Sequence, residues 1–218
     1  MNFFLIFFAA VSVIHIIAVF LKKEKLRQIS KMCIIPFLLA AYMAGRGTQS
    51  FFPVPALFFG WVGDILLIKK KKKNNFKLGL ASFLLGHLCY SLAFLDCLGF
   101  FGPGGGTINP AALAVYIPLS VILGILLFRI IKPFRDMYFL VILYMLVIMA
   151  MSFGGLSVFI VNPGLAGAMV FGGCFLFMVS DAILSYYAFR KLTVLPAVLI
   201  MAFYILAQTG IVMGILKI

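Results

Sequence analysis

The chain has 218 residues, of which 65% are hydrophobic and only 11% charged, with a formal net charge of +13. Apolar runs near twenty residues recur along its whole length, which excludes a soluble domain. The basic excess does not mark a nucleic-acid binder, because nearly all the Lys and Arg fall in short gaps between apolar runs, where they meet anionic headgroups.

The runs are continuous rather than alternating, which favours helices over a barrel. The first, about residues 2–21, has its charges ("KKEKLR") after it, the order of a first span with an external N-terminus rather than a cleaved signal peptide. His15, alone on this span, reads as structural. The second span, about 31–45, is the weakest, being short and ending at "GRGTQ". The third, 51–68, holds Asp64 within "FFGWVGDILLI" and runs into Lys69 to Lys73, a topology determinant before it is a phosphate recruiter. The fourth, 78–97, carries His87 and Tyr90. An uncharged loop, "GFFGPGGGTINP" from Gly99 to Pro110, follows, with Gly and Pro suited to turns. Spans five to eight run about 110–131, 137–158, 165–189 and 193–215, with Asp181 on the seventh and Tyr204 and Gln208 on the eighth.

Of the 18 Lys and Arg, all but Arg46 and Lys217 fall in gaps one, three, five and seven. Under the positive-inside rule this predicts an all-α integral membrane bundle of about eight transmembrane helices with both termini outside, a single domain over 1–218. Asp96 and Asp136, near helix ends, read as solvated. Cys33, Cys89, Cys97 and Cys174 lack CxxC spacing and read as small hydrophobes. "VGDILL" (Val62 to Leu67) and "VSDAIL" (Val179 to Leu184) share a pattern on two outside-to-inside spans, the trace of a parallel four-helix repeat.

Topology converts position into depth. At ~1.5 Å per residue, Asp64 lies roughly 7 Å in from the cytoplasmic lysines, and His87 and Asp181 each roughly 14 Å in. Gly60, one turn from Asp64, lets that face press on another helix. Ser180, Ser185 and Gln208 read as interhelical hydrogen-bond glue. Two aspartates and a histidine at matched depth ask for more, because buried ionisable groups in membranes are expensive and default to function. Asp64, His87 and Asp181 would offer a metal a carboxylate–histidine set, but no HxxxH or HxxE pattern backs it, so neither a metal nor another cofactor is expected.

"FFGWVGDILLI", "LGLASFLLGHLCYSLAF", "LYMLVIMAM", "GGCFLFMVSDAILSYYAF" and "FYILAQTGI" occur in this order. Together, from about Lys31 to Gln208, they resemble the lysoplasmalogenase family of small eight-helix membrane proteins. The resemblance implies hydrolysis of the vinyl-ether bond of lysoplasmalogens, with Asp64 and Asp181 as catalytic aspartates and His87, Tyr90, Tyr204 and Gln208 as polar neighbours. It implies Lys31 as a ligand for the substrate phosphate. The family often pairs such a lysine with a proline, whereas here Met32 follows and the proline stands at Pro36.

The chemistry fits the residues. A vinyl ether hydrolyses when an acid protonates its β-carbon, giving an oxocarbenium ion that water captures. This asks for one protonated carboxylic acid and one carboxylate that activates water and stabilises positive charge, the division of labour found in inverting glycosidases. Asp64, nearer the lysines, is expected to be the carboxylate, and the deeper Asp181 the acid. The expected partners are an alkenyl lysophospholipid, entering sideways from the inner leaflet with its tail between helices and its phosphate near basic residues, and the bilayer itself. A short lysine-rich chain suits a bacterial inner membrane. Two alternatives remain open: a proton-coupled transporter or lipid flippase using the two aspartates, and a metal-dependent membrane amidase or esterase. The near absence of polar residues from the outer half speaks against a two-sided pathway, and two histidines are few for a metal hydrolase.

Overall fold

A computed structural model describes residues 3–47, 49–68, 73–103, 105–131, 135–188 and 193–218. They form eight helices: α1 (Phe3–Phe20), α2 (Glu24–Gly45), α3 (Pro53–Ile68), α4 (Lys73–Cys97), α5 (Pro110–Ile131), α6 (Tyr138–Val161), α7 (Leu165–Ala188) and α8 (Val194–Ile215), with a 3-10 turn at Arg135–Met137 before α6. The described residues contain no strand, and seven of the helices are long and apolar enough to cross a membrane. The protein is therefore a multi-pass, all-helical membrane protein.

The eighth helix, α3, has 16 residues, or roughly 24 Å at ~1.5 Å per residue, short of a ~30 Å hydrocarbon core. The second span, expected to be the weak one, is instead a helix of 22 residues. It starts at Glu24, seven residues before the apolar run, because the polar stretch makes its own helical contacts. The Glu24 carboxylate accepts hydrogen bonds from Arg27 Nε at 2.9 Å and Gln28 Nε2 at 2.7 Å, one turn on. The α1–α2 connection thus shrinks to a tight turn, with Lys22 in the left-handed region at φ 55°. Helix α4 likewise begins at Lys73, ahead of its apolar run. These extensions place Arg27 and Lys31, four residues apart, on one helical face at the membrane edge.

Helices α7 and α8 pack most closely, followed by α3 with α4 and α1 with α2. A Cβ at Gly173 would lie 2.8 Å from the carbonyl oxygen of Ala207, and one at Gly210 would lie 2.8 Å from that of Met169, so the α7–α8 crossing is one that small residues permit. Gly63 does the same for α3 on α4, where an added Cβ would meet the Phe83 ring at 2.7 Å. Helices α3–α4 and α7–α8 are the two most closely packed pairs, while α5 rests lightly on α6.

Lys77 at the start of α4 pairs with Asp136 before α6 at 2.9 Å, which puts gaps three and five at one end of the bundle; the Asp136 side chain is 42% exposed, solvated as well as paired. The loop from Gly99 turns on two glycines in the left-handed region, Gly99 (φ 82°) and Gly105 (φ 65°). All four cysteines are free. Lys69 to Lys72, Lys132, Arg190 and Lys191, which carry much of the expected topology signal, lie outside the described residues.

Candidate active site

Asp64 comes from the last turn and a half of α3 and is 2% exposed. Its two oxygens take different donors. Lys31 Nζ, from α2, lies 3.1 Å from Oδ1, and the Tyr204 hydroxyl, from α8, donates to Oδ2 at 2.9 Å. An ammonium on one oxygen and a hydroxyl on the other is the setting of a carboxylate. Lys31 therefore spends its charge on Asp64. Gly60, one turn earlier, lies against the same side chains: a Cβ there would make ordinary contact with Gln208 Nε2 at 3.4 Å and the Tyr204 hydroxyl at 3.5 Å.

The Tyr204 oxygen in turn accepts from Gln208 Nε2 at 3.4 Å, and the Tyr90 hydroxyl donates to Gln208 Oε1 at 2.5 Å. Gln208 is thus glue between α4 and α8 and also a link in a chain that runs Tyr90, Gln208, Tyr204, Asp64, Lys31. Each of these tyrosines has its proton directed, so the chain fixes its donors one after another.

Asp181, about two turns before the end of α7 and 8% exposed, has a different shell. The Tyr144 hydroxyl, from α6, donates to its Oδ2. His87 Nε2, from α4, lies 3.3 Å from the same oxygen and 2.9 Å from the Tyr144 oxygen. Tyrosine has one proton and gives it to Asp181, so the hydrogen-bond network assigns a proton to His87 Nε2. Both bonds fall on Oδ2. Phe177, fully buried, packs edge-on against the His87 ring at 4.7 Å and the Tyr204 ring at 5.4 Å, fixing one ring from each network.

Asp64 and Asp181 line one cavity of about 120 Å³, together with Lys31, Tyr204 and Arg27. Helices α3 and α7 thus bring their aspartates to a common chamber. The remaining lining, from Leu67, Phe83, Leu184 and Met201 among others, is apolar. His87 and Asp181 touch, while Asp64 stands with Lys31 and Tyr204; among the described residues no three His, Cys, Asp or Glu side chains gather into a metal-ligating group.

Over residues 26–215 the sequence matches the pattern of the YhhN family. The chain belongs to the YhhN family. This is the lysoplasmalogenase family, as the resemblance of the ordered blocks implied. Every polar residue of the two networks falls inside the YhhN match, and so does Arg27 at the cavity wall. No curated protein and no solved structure matches the chain.

Tyr144 is the site residue that sequence reasoning missed. It lies in the quoted block "LYMLVIMAM", nine residues past Arg135, or roughly 14 Å in by the same helical rise, the depth of His87 and Asp181. The depth argument would have found it had tyrosines been placed as the ionisable residues were. Ser180 is glue as expected, donating to the carbonyl oxygen of Ile200 across α7–α8 at 3.0 Å. His15 is buried and structural in its surroundings. Ser30 gives its proton to the Leu26 carbonyl at 2.7 Å, so His15 Nδ1 is the donor to Ser30 Oγ at 2.9 Å.

Proposed function

We propose that this protein hydrolyses the vinyl-ether bond of lysoplasmalogens, releasing a fatty aldehyde and a glycerophospho-headgroup alcohol. The observation that carries the reading is the pair of aspartates lining one small cavity with different surroundings: a lysine ammonium at Asp64, and a tyrosine and a histidine on one oxygen of Asp181. Membership of the YhhN family supports the same activity at the level of the family.

Asp181 gives the proton on Oδ1 to the β-carbon of the enol ether, and the C=C pair forms the new C–H bond. The oxygen lone pair closes the oxocarbenium ion, whose charge faces Asp64. Water adds to the α-carbon and loses a proton to Asp181, which is thereby restored as the acid. The hemiacetal hydroxyl then gives up its proton, its oxygen pair forms the aldehyde C=O as the bond to the glycerol oxygen breaks, and that oxygen takes up a proton in exchange. One water is consumed, and both carboxyl groups return to their starting states. A carboxylate already held by Lys31 and Tyr204 suits charge stabilisation, and Asp181, once deprotonated, suits removal of the water's proton. Acid–base participation of this kind contributes typically ~10²–10⁴-fold.

The test uses purified protein with alkenyl and acyl lysophospholipids, with and without chelator. Aldehyde from the alkenyl lipid, with no cleavage of the acyl lipid and no effect of chelator, is the expected result. Chelator-sensitive release of fatty acid from the acyl lipid would select the metal-dependent esterase instead. Protein that leaves both lipids intact but moves them between leaflets would select the flippase.

A further inference from the structure

The cavity of about 120 Å³ around the aspartates is too small for a lysolipid, since small-molecule pockets run to ~300–1,000 Å³. A second, apolar space of about 340 Å³ lies between α5, α6 and α7. Its walls include Leu127, Ile148, Met149, Phe175 and Val179, and its lining also contains Asp181 and Tyr144. Helix periodicity explains the shared residue. On α7, Phe175, Val179 and Ala182 face the groove, Ser180, Leu184 and Ala188 face the polar cavity, and Asp181 stands on the seam between the two sets.

We infer that the groove between α5, α6 and α7 seats the aliphatic chain of a lysophospholipid, with the head of that chain at Asp181 and the glycerophospho end in the polar cavity. The inference rests on the proposed reaction for its direction. In an alkenyl lysolipid the carbon to be protonated is the second carbon of the chain, so the chain must start within reach of Asp181 Oδ1 and run away from it into apolar space. This groove starts there. A second copy of the chain laid over α5 would cover the apolar walls but would give the polar end at Asp181 and Tyr144 no partner.

The packing of α5 suits lateral entry. No residue of α5 is buried before its last, Ile131, and the helix contains Pro118, which removes one backbone hydrogen bond. On its other side a further apolar groove of about 660 Å³ separates it from α6. Met145 and Met149 line both spaces, and methionine adapts its shape to an irregular flexible occupant. Of the three helices around the groove, α5 is the one whose displacement disturbs the core least.

The experiment is photolabelling of the full-length protein in nanodiscs with an uncleavable saturated-ether lysophospholipid that carries a diazirine midway along its chain. The result expected is labelling of groove residues on α5, α6 and α7 that saturates and falls at least tenfold with excess unlabelled lysolipid, while labelling of the outward face of α5 at Leu119 neither saturates nor falls. In parallel, Ala182→Phe lowers turnover of long-chain substrate at least tenfold more than that of a short-chain one, and Leu119→Phe changes neither. Saturable labelling in the groove without aldehyde release from any alkenyl lipid would leave the groove assigned and remove the reaction. Aldehyde release with saturable labelling elsewhere, or α5–α5 cross-links from a copy seated in the groove, would overturn the groove.

Discussion

Lys31 and Asp64 join α2 to α3 through an ion pair of 3.1 Å whose side chains are 11% and 3% exposed. Such a pair is held in place by its alternatives. Removing one partner leaves the other charge buried, which typically destabilises by about 3–5 kcal/mol, whereas replacing both with apolar residues is often neutral. Lys31→Met and Asp64→Asn should therefore each lower the thermal midpoint in detergent. Lys31→Met/Asp64→Leu should recover most of that loss yet stay inactive in aldehyde release. A double variant that regains turnover with stability would remove Asp64 from the chemistry.

Asp181 offers the cleaner test of acid catalysis, because both of its partners, Tyr144 and His87, can donate to an amide oxygen as well. Asp181→Asn keeps an oxygen for the Tyr144 and His87 donors but has no proton of comparable acidity to give. Turnover should fall by ~10²–10⁴ with little change in KM. A residual rate above a tenth of the wild type would be the damaging result.

Tyr144 acts through Asp181 and is a positioning residue. In Tyr144→Phe the donor to Oδ2 is lost while His87 remains at 3.3 Å. That donor holds the carboxylate Asp181 becomes as its proton leaves, and hydrogen bonds to charged groups contribute about 1.5–3 kcal/mol, so kcat should drop by roughly 10- to 100-fold and the alkaline limb of the pH–rate profile, where the acid is lost, should move. A lower thermal midpoint with an unchanged profile would mean that Tyr144 serves packing alone.

How much of this was legible beforehand differs by residue. Asp64, His87 and Asp181 stand out because charge is scarce in apolar runs, and helical rise alone brings them to matched depth. Tyr144 did not stand out, since tyrosine is tolerated at many places in a membrane helix and its role depends on which neighbour it meets. The start of α2 was hidden because apolarity marks the hydrocarbon core, whereas a helix continues wherever its backbone and charged side chains find partners, as Glu24 does with Arg27. The partner of Lys31 was likewise a matter of tertiary contact: its position at the membrane edge suited a phosphate as well as a carboxylate. The loose seat of α5 left no mark either, because its sequence is as apolar as that of the tightly packed α8.

The polar chain beyond Asp64 should prove structural. Tyr90→Phe strands Gln208 Oε1 in a buried position, which should destabilise by about 1–3 kcal/mol while activity per folded molecule stays within a few-fold. Tyr90→Phe combined with Gln208→Leu should be less damaging than the sum of the single changes, because the second substitution removes the atom the first one orphaned. A double-mutant cycle by thermal unfolding measures this coupling, and strict additivity would show that the two side chains do not depend on each other.

Two adjacent glycines of α7 give a test of the scaffold that substitutes no residue of the site. A Cβ at Gly173 would meet the Ala207 carbonyl oxygen and the Ile211 backbone nitrogen, both at 2.8 Å, whereas one at Gly172 would meet nothing within 4 Å. In the first case α8 has to move, because backbone rather than a flexible side chain is in the way, and overpacking of this kind typically destabilises by about 1–3 kcal/mol. In the second the change only removes the helix penalty of glycine, about 1 kcal/mol in an exposed soluble helix. Gly173→Ala should thus lower the thermal midpoint and turnover together, since α8 also carries Tyr204 to Asp64, while Gly172→Ala leaves both unchanged or slightly raises stability. Equal effects at the two positions would mean that the α7–α8 crossing has room for a methyl group at Gly173 after all.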